Sequence, residues 1–278
     1  MVQGSRGSAM RFDAYAGNVS GSFPEEVATM VAYANAARVE RGRPRGRYHD
    51  VFEVKDGNEL LGWMAHDAQI DTAYFECKGS TTPACAAAIR KHWPSSHTVS
   101  RLDSCEDFNE PGCYGRLVAL VDASTDPRVK SDEIRPRNGD RGITTYWGSR
   151  TSRVLVRCYE AGKMKERLHL AKPSWVRVEA QVRPGKAIEK TIAATVSPLD
   201  AWGWAAWSQR CAEALCQVEV QRYAPPSTPP EFDKTTLYLA RAFRRHFEEL
   251  AAERGDWVCI GREFEAIWAK DDESKAAS

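Results

Sequence analysis

Across its 278 residues the sequence holds no apolar run near the roughly 20 residues that a membrane-crossing helix needs. The segment Met1 to Ala9 is rich in Gly and Ser and has no apolar stretch, so it does not read as a secretion signal. The eight cysteines never form a CxxC pair, and Cys85, His92 and His97 lack the paired spacing of a zinc site. No G-x-x-x-x-G-K-[ST] occurs, so ATP use through a Walker-type phosphate loop is not implied. These absences leave a protein expected in a reducing cytoplasm, with buried free thiols and no membrane partner. What is present, 42% hydrophobic residues in a chain of this length, suffices for one sizeable core or two smaller ones.

The net charge of +1 conceals an asymmetry. Arg141 to Lys190 contains twelve Lys/Arg against four Glu, while the part from Asp200 onward has fourteen acidic residues against ten basic. A central basic stretch suits contact with phosphates, and it equally suits a solvated charged surface.

Hydrophobic periodicity gives a coarse element order. Strands are expected at Phe12–Asn18, Tyr48–Val54, Ile70–Cys77 and Thr98–Phe108, with a turn at Asp56-Gly57. Helices are expected at Pro24–Arg38, at Pro83–Trp93 behind Thr82 as N-cap, and at Gly112–Ser124. Three more strands follow at Ile143–Trp147, Val154–Tyr159 and Trp175–Arg183. From residue 197 the pattern turns helical, with Pro198–Cys216, Thr235–Arg254 and Ile260–Trp268, interrupted by the Pro-rich Ala224–Pro230. The expected fold is α+β: an antiparallel sheet with helices on one face, containing two related β-α units, followed by a helical C-terminal region. The expected divisions are a flexible 1–9, an α+β region 10–196, a helical region 197–270 and a disordered tail 271–278.

Alternation sorts three of these strands into faces. In Trp175–Arg183 the residues Val176, Val178, Ala180 and Val182 form an apolar face, opposite Trp175, Arg177, Glu179, Gln181 and Arg183. Val154, Val156 and Cys158 lie opposite Arg153, Leu155, Arg157 and Tyr159, and Arg101, Asp103, Cys105 and Asp107 share one side of their strand. If the three strands are neighbours, one face collects carboxylates for a divalent cation, arginines for phosphate oxygens and a tyrosine hydroxyl able to act as a nucleophile. The same alternation also fits a solvated sheet face with cross-strand ion pairs. Trp202, Trp204 and Trp207 spread over more than one helix face and fit packing better than base stacking. Arg241, Arg244 and Arg245 share one side of their helix and could track a DNA backbone, with Glu248 and Glu249 one turn later.

The order of short motifs carries a resemblance. Thr144–Lys163, TTYWGSRTSRVLVRCYEAGK, followed by Trp175–Pro184, WVRVEAQVRP, resembles the core of the replication initiation factor family, which includes initiators of filamentous phages and small rolling-circle plasmids. The matching residues are Tyr146, Gly148, Ser149, Arg150 and Ser152; Arg157, Tyr159 and Glu160; Gly162 and Lys163; and Trp175, Arg177, Glu179 and Arg183. Arg101, Asp103 and Asp107 are similar to the family's upstream R-x-D-x-x-x-D strand, and the likeness runs roughly from Ser100 to Trp268.

The resemblance implies a rolling-circle initiator that nicks and rejoins origin DNA through a phosphotyrosine. Tyr159 would be the nucleophile, with Tyr146 its rival. Asp103 and Glu179 would hold a divalent metal, Mg or Mn, and Arg150, Arg157, Arg177, Arg183 and Lys163 would contact DNA. The implied partner is origin DNA, single-stranded or cruciform; host replication proteins and a second copy of the chain are further implied partners. The chain lacks the His-hydrophobe-His metal motif of other tyrosine nickases, since His169 stands alone between Leu168 and Leu170. It also departs from the family at Ala161, where many members have Lys, and Lys163 is the nearest substitute for that charge. This departure favours the alternative of a non-catalytic DNA-binding regulator.

Overall fold

The strands form because apolar and polar residues alternate, and they assemble around two long central strands. In the computed structural model the residues described are 10–67, 72–137, 142–170, 172–217 and 220, without the side chains of 165, 166 and 169. The first long strand is β1 (Arg11–Ser20), followed by helix α1 (Pro24–Ala34), β2 (Arg38–Arg41), β3 (His49–Asp56), β4 (Glu59–Asp67), β5 (Thr72–Lys78) and α2 (Thr82–His92). The second is β6 (His97–Asn109), followed by α3 (Cys113–Ser124), β7 (Ser131–Ile134), β8 (Thr144–Trp147), β9 (Val154–Tyr159), β10 (Trp175–Val182) and α4 (Ala187–Ala193). A 3-10 turn at Asp200–Trp204 and helix α5 (Ala206–Cys216) complete the described residues.

Among the described residues ten strands form one antiparallel sheet, in the order β2-β3-β4-β5-β1-β6-β10-β9-β8-β7. The order reads outward from β1 and β6 in the same way on both sides. Each half is therefore a long strand, a helix, four strands that run back inward and a second helix, which makes the two expected β-α units a full structural duplication. The α+β class, with helices on one face, is as expected.

The helices cover one face only. Val27 and Val31 of α1, Cys85 and Ile89 of α2, and Leu117 and Val121 of α3 share a core with Phe75, Val99, Leu102, Val156 and Val178 of the sheet. Burying such side chains stabilises by about 1.5–3 kcal/mol each, which fixes the sheet's register by putting one set of alternating residues inside. The other set is left to build the opposite face.

Several expectations need correction. Helix α1 ends at Ala34, not at Arg38, because Ala36 takes a positive φ of 50° and the chain turns into β2. Strands β2, β4 and β7 and helix α4 were not anticipated. Thr82 lies inside α2, where its hydroxyl donates to the Asp13 carbonyl; Thr81 is the N-cap and makes no side-chain cap bond. The division at residue 197 does not hold: the chain separates at Ala224/Pro225, and Val196, Ala201, Trp202, Trp204, Cys211 and Ala212 lie in the same core as the sheet. The physical reason is the packing of Trp202, which is fully buried and donates its indole N–H to Ser104 on β6. Trp202, Trp204 and Trp207 thus pack, as their spacing suggested. The calls on Thr235–Arg254, Ile260–Trp268, the Pro-rich segment, Arg241, Arg244, Arg245 and Cys259 fall outside the described residues. The seven described cysteines are free thiols, all buried but Cys216.

Candidate active site

The open face of the second half is built from β6, β10 and β9, which lie side by side. Register decides which side chains meet. Glu179 stands between Cys105 on β6 and Arg157 on β9; Arg177 stands between Asp107 and Tyr159; Gln181 pairs with Asp103. Three strands far apart in sequence therefore bring Asp103, Glu179, Arg157, Arg177 and Tyr159 onto one patch.

At its centre, Glu179 is fully buried. One carboxylate oxygen accepts from the Arg157 guanidinium at 2.6 Å, and the other accepts from the Tyr159 hydroxyl at 3.3 Å. Burial pushes the Glu179 carboxyl up to about 7, against the pull of Arg157 and with a further push from the charge of Asp103. Asp103 is also buried, and burial raises its carboxyl, but the Arg101 guanidinium overrides this and holds it below the ordinary range. Arg101 grips both Asp103 oxygens, at 2.9 and 2.5 Å, and Gln181 adds a bond at 3.1 Å. Asp103 on β6 and Glu179 on β10 are diagonal neighbours across the strand pair, and the Asp103 charge acts on Glu179. A carboxyl near 7 is ionised in part of the molecules around neutrality.

Tyr159 is 7% exposed, and burial followed by the Glu179 charge raises its phenol to about 12, against Arg177, Arg157 and Arg167. The guanidinium of Arg157 lies 5.3 Å from the centre of its ring and that of Arg167 lies 5.9 Å away. Arg167 also covers Trp175, at 4.8 Å. Sequence reasoning missed Arg167, because it lies in the irregular stretch Lys165–Leu170, where no strand alternation points to a face.

The remaining candidates are distributed as follows. Arg177 is 2% exposed and is held by Asp107 at 2.6 and 2.9 Å and by Asp13 at 2.7 Å. Arg11 joins the same cluster, bonding Asp13 and Asp107 at 3.1 Å each. Arg177 therefore sits beneath the face, not on it. Asp107 serves this cluster and accepts from the Trp175 indole N–H at 2.8 Å.

Arg150 is exposed in the loop after β8, where Gly148 adopts a φ of +94° and a Cβ would come within 2.8 Å of the Val154 carbonyl. Only glycine suits that turn. The loop is tied by Ser149 N–H to the Ser152 hydroxyl, and Arg183 donates to the Arg150 carbonyl and to Gln181. Lys163 pairs with Glu160 at 2.7 Å. Ala161 is fully buried. Tyr146 is half-buried on the same face as Tyr159, one strand further out and directly opposite Arg157.

A divalent cation fits the donor set. Asp103 and Glu179 offer hard oxygens on neighbouring strands. Among the described residues no group of three or more His, Cys, Asp or Glu could form an all-protein cage. Two carboxylates completed by water and phosphate are what Mg²⁺ ordinarily accepts.

A solved structure is similar in fold: the rolling circle replication initiator protein from Geobacillus stearothermophilus, with a TM-score of 0.51 over 81% of this chain and 90% of that one. The chain has the fold of a rolling-circle replication initiator. Sequence identity between the two is 17%. No family model matches the chain, and no curated protein matches it. Among the described residues no helix is long and apolar enough to cross a membrane.

Proposed function

We propose that this protein initiates rolling-circle DNA replication by nicking and rejoining origin DNA through a covalent bond to Tyr159. The observation that carries this reading is the Tyr159 hydroxyl held 3.3 Å from a buried Glu179, with Asp103 its diagonal neighbour across the strand pair. The initiator fold supports it.

In the proposed reaction the Tyr159 oxygen attacks the phosphorus of a phosphodiester in single-stranded or cruciform origin DNA. Its phenolic proton passes to Oε2 of Glu179 in the ionised form. The bond from phosphorus to the 3′ oxygen breaks as the tyrosyl bond forms, and the leaving oxygen takes a proton from water to become a free 3′ hydroxyl. The 5′ phosphate stays on Tyr159, which keeps the bond energy for rejoining. A phenol raised to about 12 does not ionise by itself near neutrality, so an adjacent acceptor is required. Arg157, a third exposed, and the exposed Arg150 contact phosphate oxygens, and Arg183 supports the Arg150 loop. Arg177 positions Tyr159 and Trp175 from below.

Asp103 and Glu179 would hold Mg²⁺ or Mn²⁺, and the metal, when bound, would supply charge stabilisation to the phosphate. Origin DNA is the proposed partner. The test is conversion of supercoiled origin plasmid to the open circle, with Mg²⁺ or Mn²⁺ and with chelator. Metal-dependent nicking supports the reading, whereas origin binding without nicking under every metal leaves a DNA-binding regulator.

A further inference from the structure

The nicking chemistry leaves unused an aromatic and arginine-rich patch on the same face of the first half. Residues 38–47, RVERGRPRGR, carry five arginines in ten positions between β2 and β3. Gly46, at a φ of +58°, lets Arg45 and Tyr48 exchange backbone hydrogen bonds at 3.0 Å, and the resulting tight turn bends the segment over the sheet. The turn lays Tyr48 against Tyr74 of β5, ring centres 4.8 Å apart and 24° from parallel, while Trp63 of β4 lies 5.0 Å from Tyr74 and 5.5 Å from Tyr48. Arg45 covers Trp63 at 4.9 Å, and Arg47 covers Tyr48 at 5.1 Å. All three rings are half-buried, which leaves ring surface open to solvent, and Arg43 at the segment's tip is exposed.

Register ties this patch to the candidate active site. Trp63 is opposite Glu76, Glu76 is opposite Ala16, and Ala16 is opposite Arg101, the residue that grips Asp103. Trp63 is three strand spacings from Arg101, about 14 Å. Between them stand Glu76 on β5 and the small Ala16 on β1.

Aromatic rings interleaved with arginines on an open sheet are the chemistry that holds unpaired bases: each base offers a π face to a ring, and guanidiniums take the phosphates. A duplex keeps its base faces stacked inside and cannot use such rings. We propose that Tyr48, Trp63 and Tyr74, with Arg43, Arg45 and Arg47, form a stacking platform for single-stranded DNA that continues from the nicking site. The placement of this strand rests on the nickase reading of the Tyr159 patch; the stacking itself does not.

The experiment uses the full chain and has two parts. Fluorescence anisotropy measures affinity for labelled oligo(dT) and for a duplex of equal length, with wild type and with Trp63→Leu checked for folding by circular dichroism. Trp63→Leu is expected to weaken oligo(dT) binding at least about 5-fold, the smallest loss of one stacked base, with the duplex changed less than about 2-fold. In the second part wild-type protein is photocrosslinked to an oligonucleotide containing 5-iododeoxyuridine, and the attached peptides are mapped. Adducts at Tyr48, Trp63 or Tyr74 support the platform even if Trp63→Leu does not fold. Adducts confined to other residues, or equal loss of single-strand and duplex binding in a folded variant, overturn it. Wild type that crosslinks at these rings yet never nicks retains the platform and loses the nickase reading; nicking without such crosslinks does the reverse.

Discussion

The two halves of the sheet share a frame and differ in what they set upon it. Strands β5 and β10 hold corresponding places, each between a long central strand and the next strand outward, and each carries a glutamate near its middle, Glu76 and Glu179. Glu179 is fully buried among Arg157, Asp103 and Tyr159, whereas Glu76 is half-buried, accepts from the Tyr74 hydroxyl and pairs with the exposed Lys78. The position paired with Arg177 is Tyr159; the one paired with Tyr74 is Ala65. Where one half has a phenolic hydroxyl, the other has a methyl group. The lesson is that the backbone supplies two equivalent platforms, and the proposed phosphoryl transfer draws on the side chains of one.

The sharpest way to break this comparison is to change the two glutamates in parallel. Glu179→Gln removes the proton acceptor and is expected to slow nicking about 10²–10⁴-fold. Glu76→Gln is expected to leave the nicking rate within a few-fold of wild type. Plasmid nicking time courses measure both, and equal losses would contradict the asymmetry.

A second pair of effects falls on stability. Arg177→Met leaves the half-buried Asp13 and Asp107 with Arg11 as their remaining cation and is expected to cost about 1–3 kcal/mol in urea unfolding. Arg101→Met leaves Asp103 with Gln181 alone, but the Arg101 side chain is 33% exposed, so solvent screens the loss and a smaller cost is expected.

The smallest expected effect lies at the seam between the halves. His97, at the start of β6, is buried against the Trp93 carbonyl and the Tyr15 hydroxyl, and burial lowers its pKa. Its folded value lies below the unfolded value near 6.5, so the unfolded chain binds more protons as acid is added. Stability is therefore full above pH 6.5 and declines as pH falls below it. Urea midpoints between pH 7.5 and 5.5 measure this, and His97→Asn should flatten the decline.

The face that carries Asp103, Arg157, Tyr159 and Glu179 was legible because β9 and β10 alternate cleanly: valines on one side, charges on the other. Their observed bounds match the expected ones to within a residue. Strand β4 was hidden because a register irregularity at Leu61 breaks its alternation, so that Leu61 and Met64 both reach the core, and because Gly62 interrupts it where a Cβ would press on the Glu76 carbonyl at 2.9 Å. Strands β2 and β7 are four-residue edges with every residue of β7 exposed, so no burial contrast marks their period. The aromatic platform was illegible for another reason: Tyr48, Trp63 and Tyr74 lie on different elements, and only the turn at Gly46 brings the first onto the other two. Arg177 looked like a surface cation because alternation gives the face but not the depth.

The account's central claim is that Tyr159 forms the covalent bond to DNA. The direct measurement is an adduct assay with labelled origin oligonucleotide, a denaturing gel and peptide mapping of the attached residue. Tyr159→Phe removes one oxygen from a ring whose packing is kept, so origin binding is expected to persist while adduct and nicking disappear. Tyr146→Phe, on the neighbouring strand, is expected to retain both. An adduct that survives in Tyr159→Phe and vanishes in Tyr146→Phe would contradict the claim.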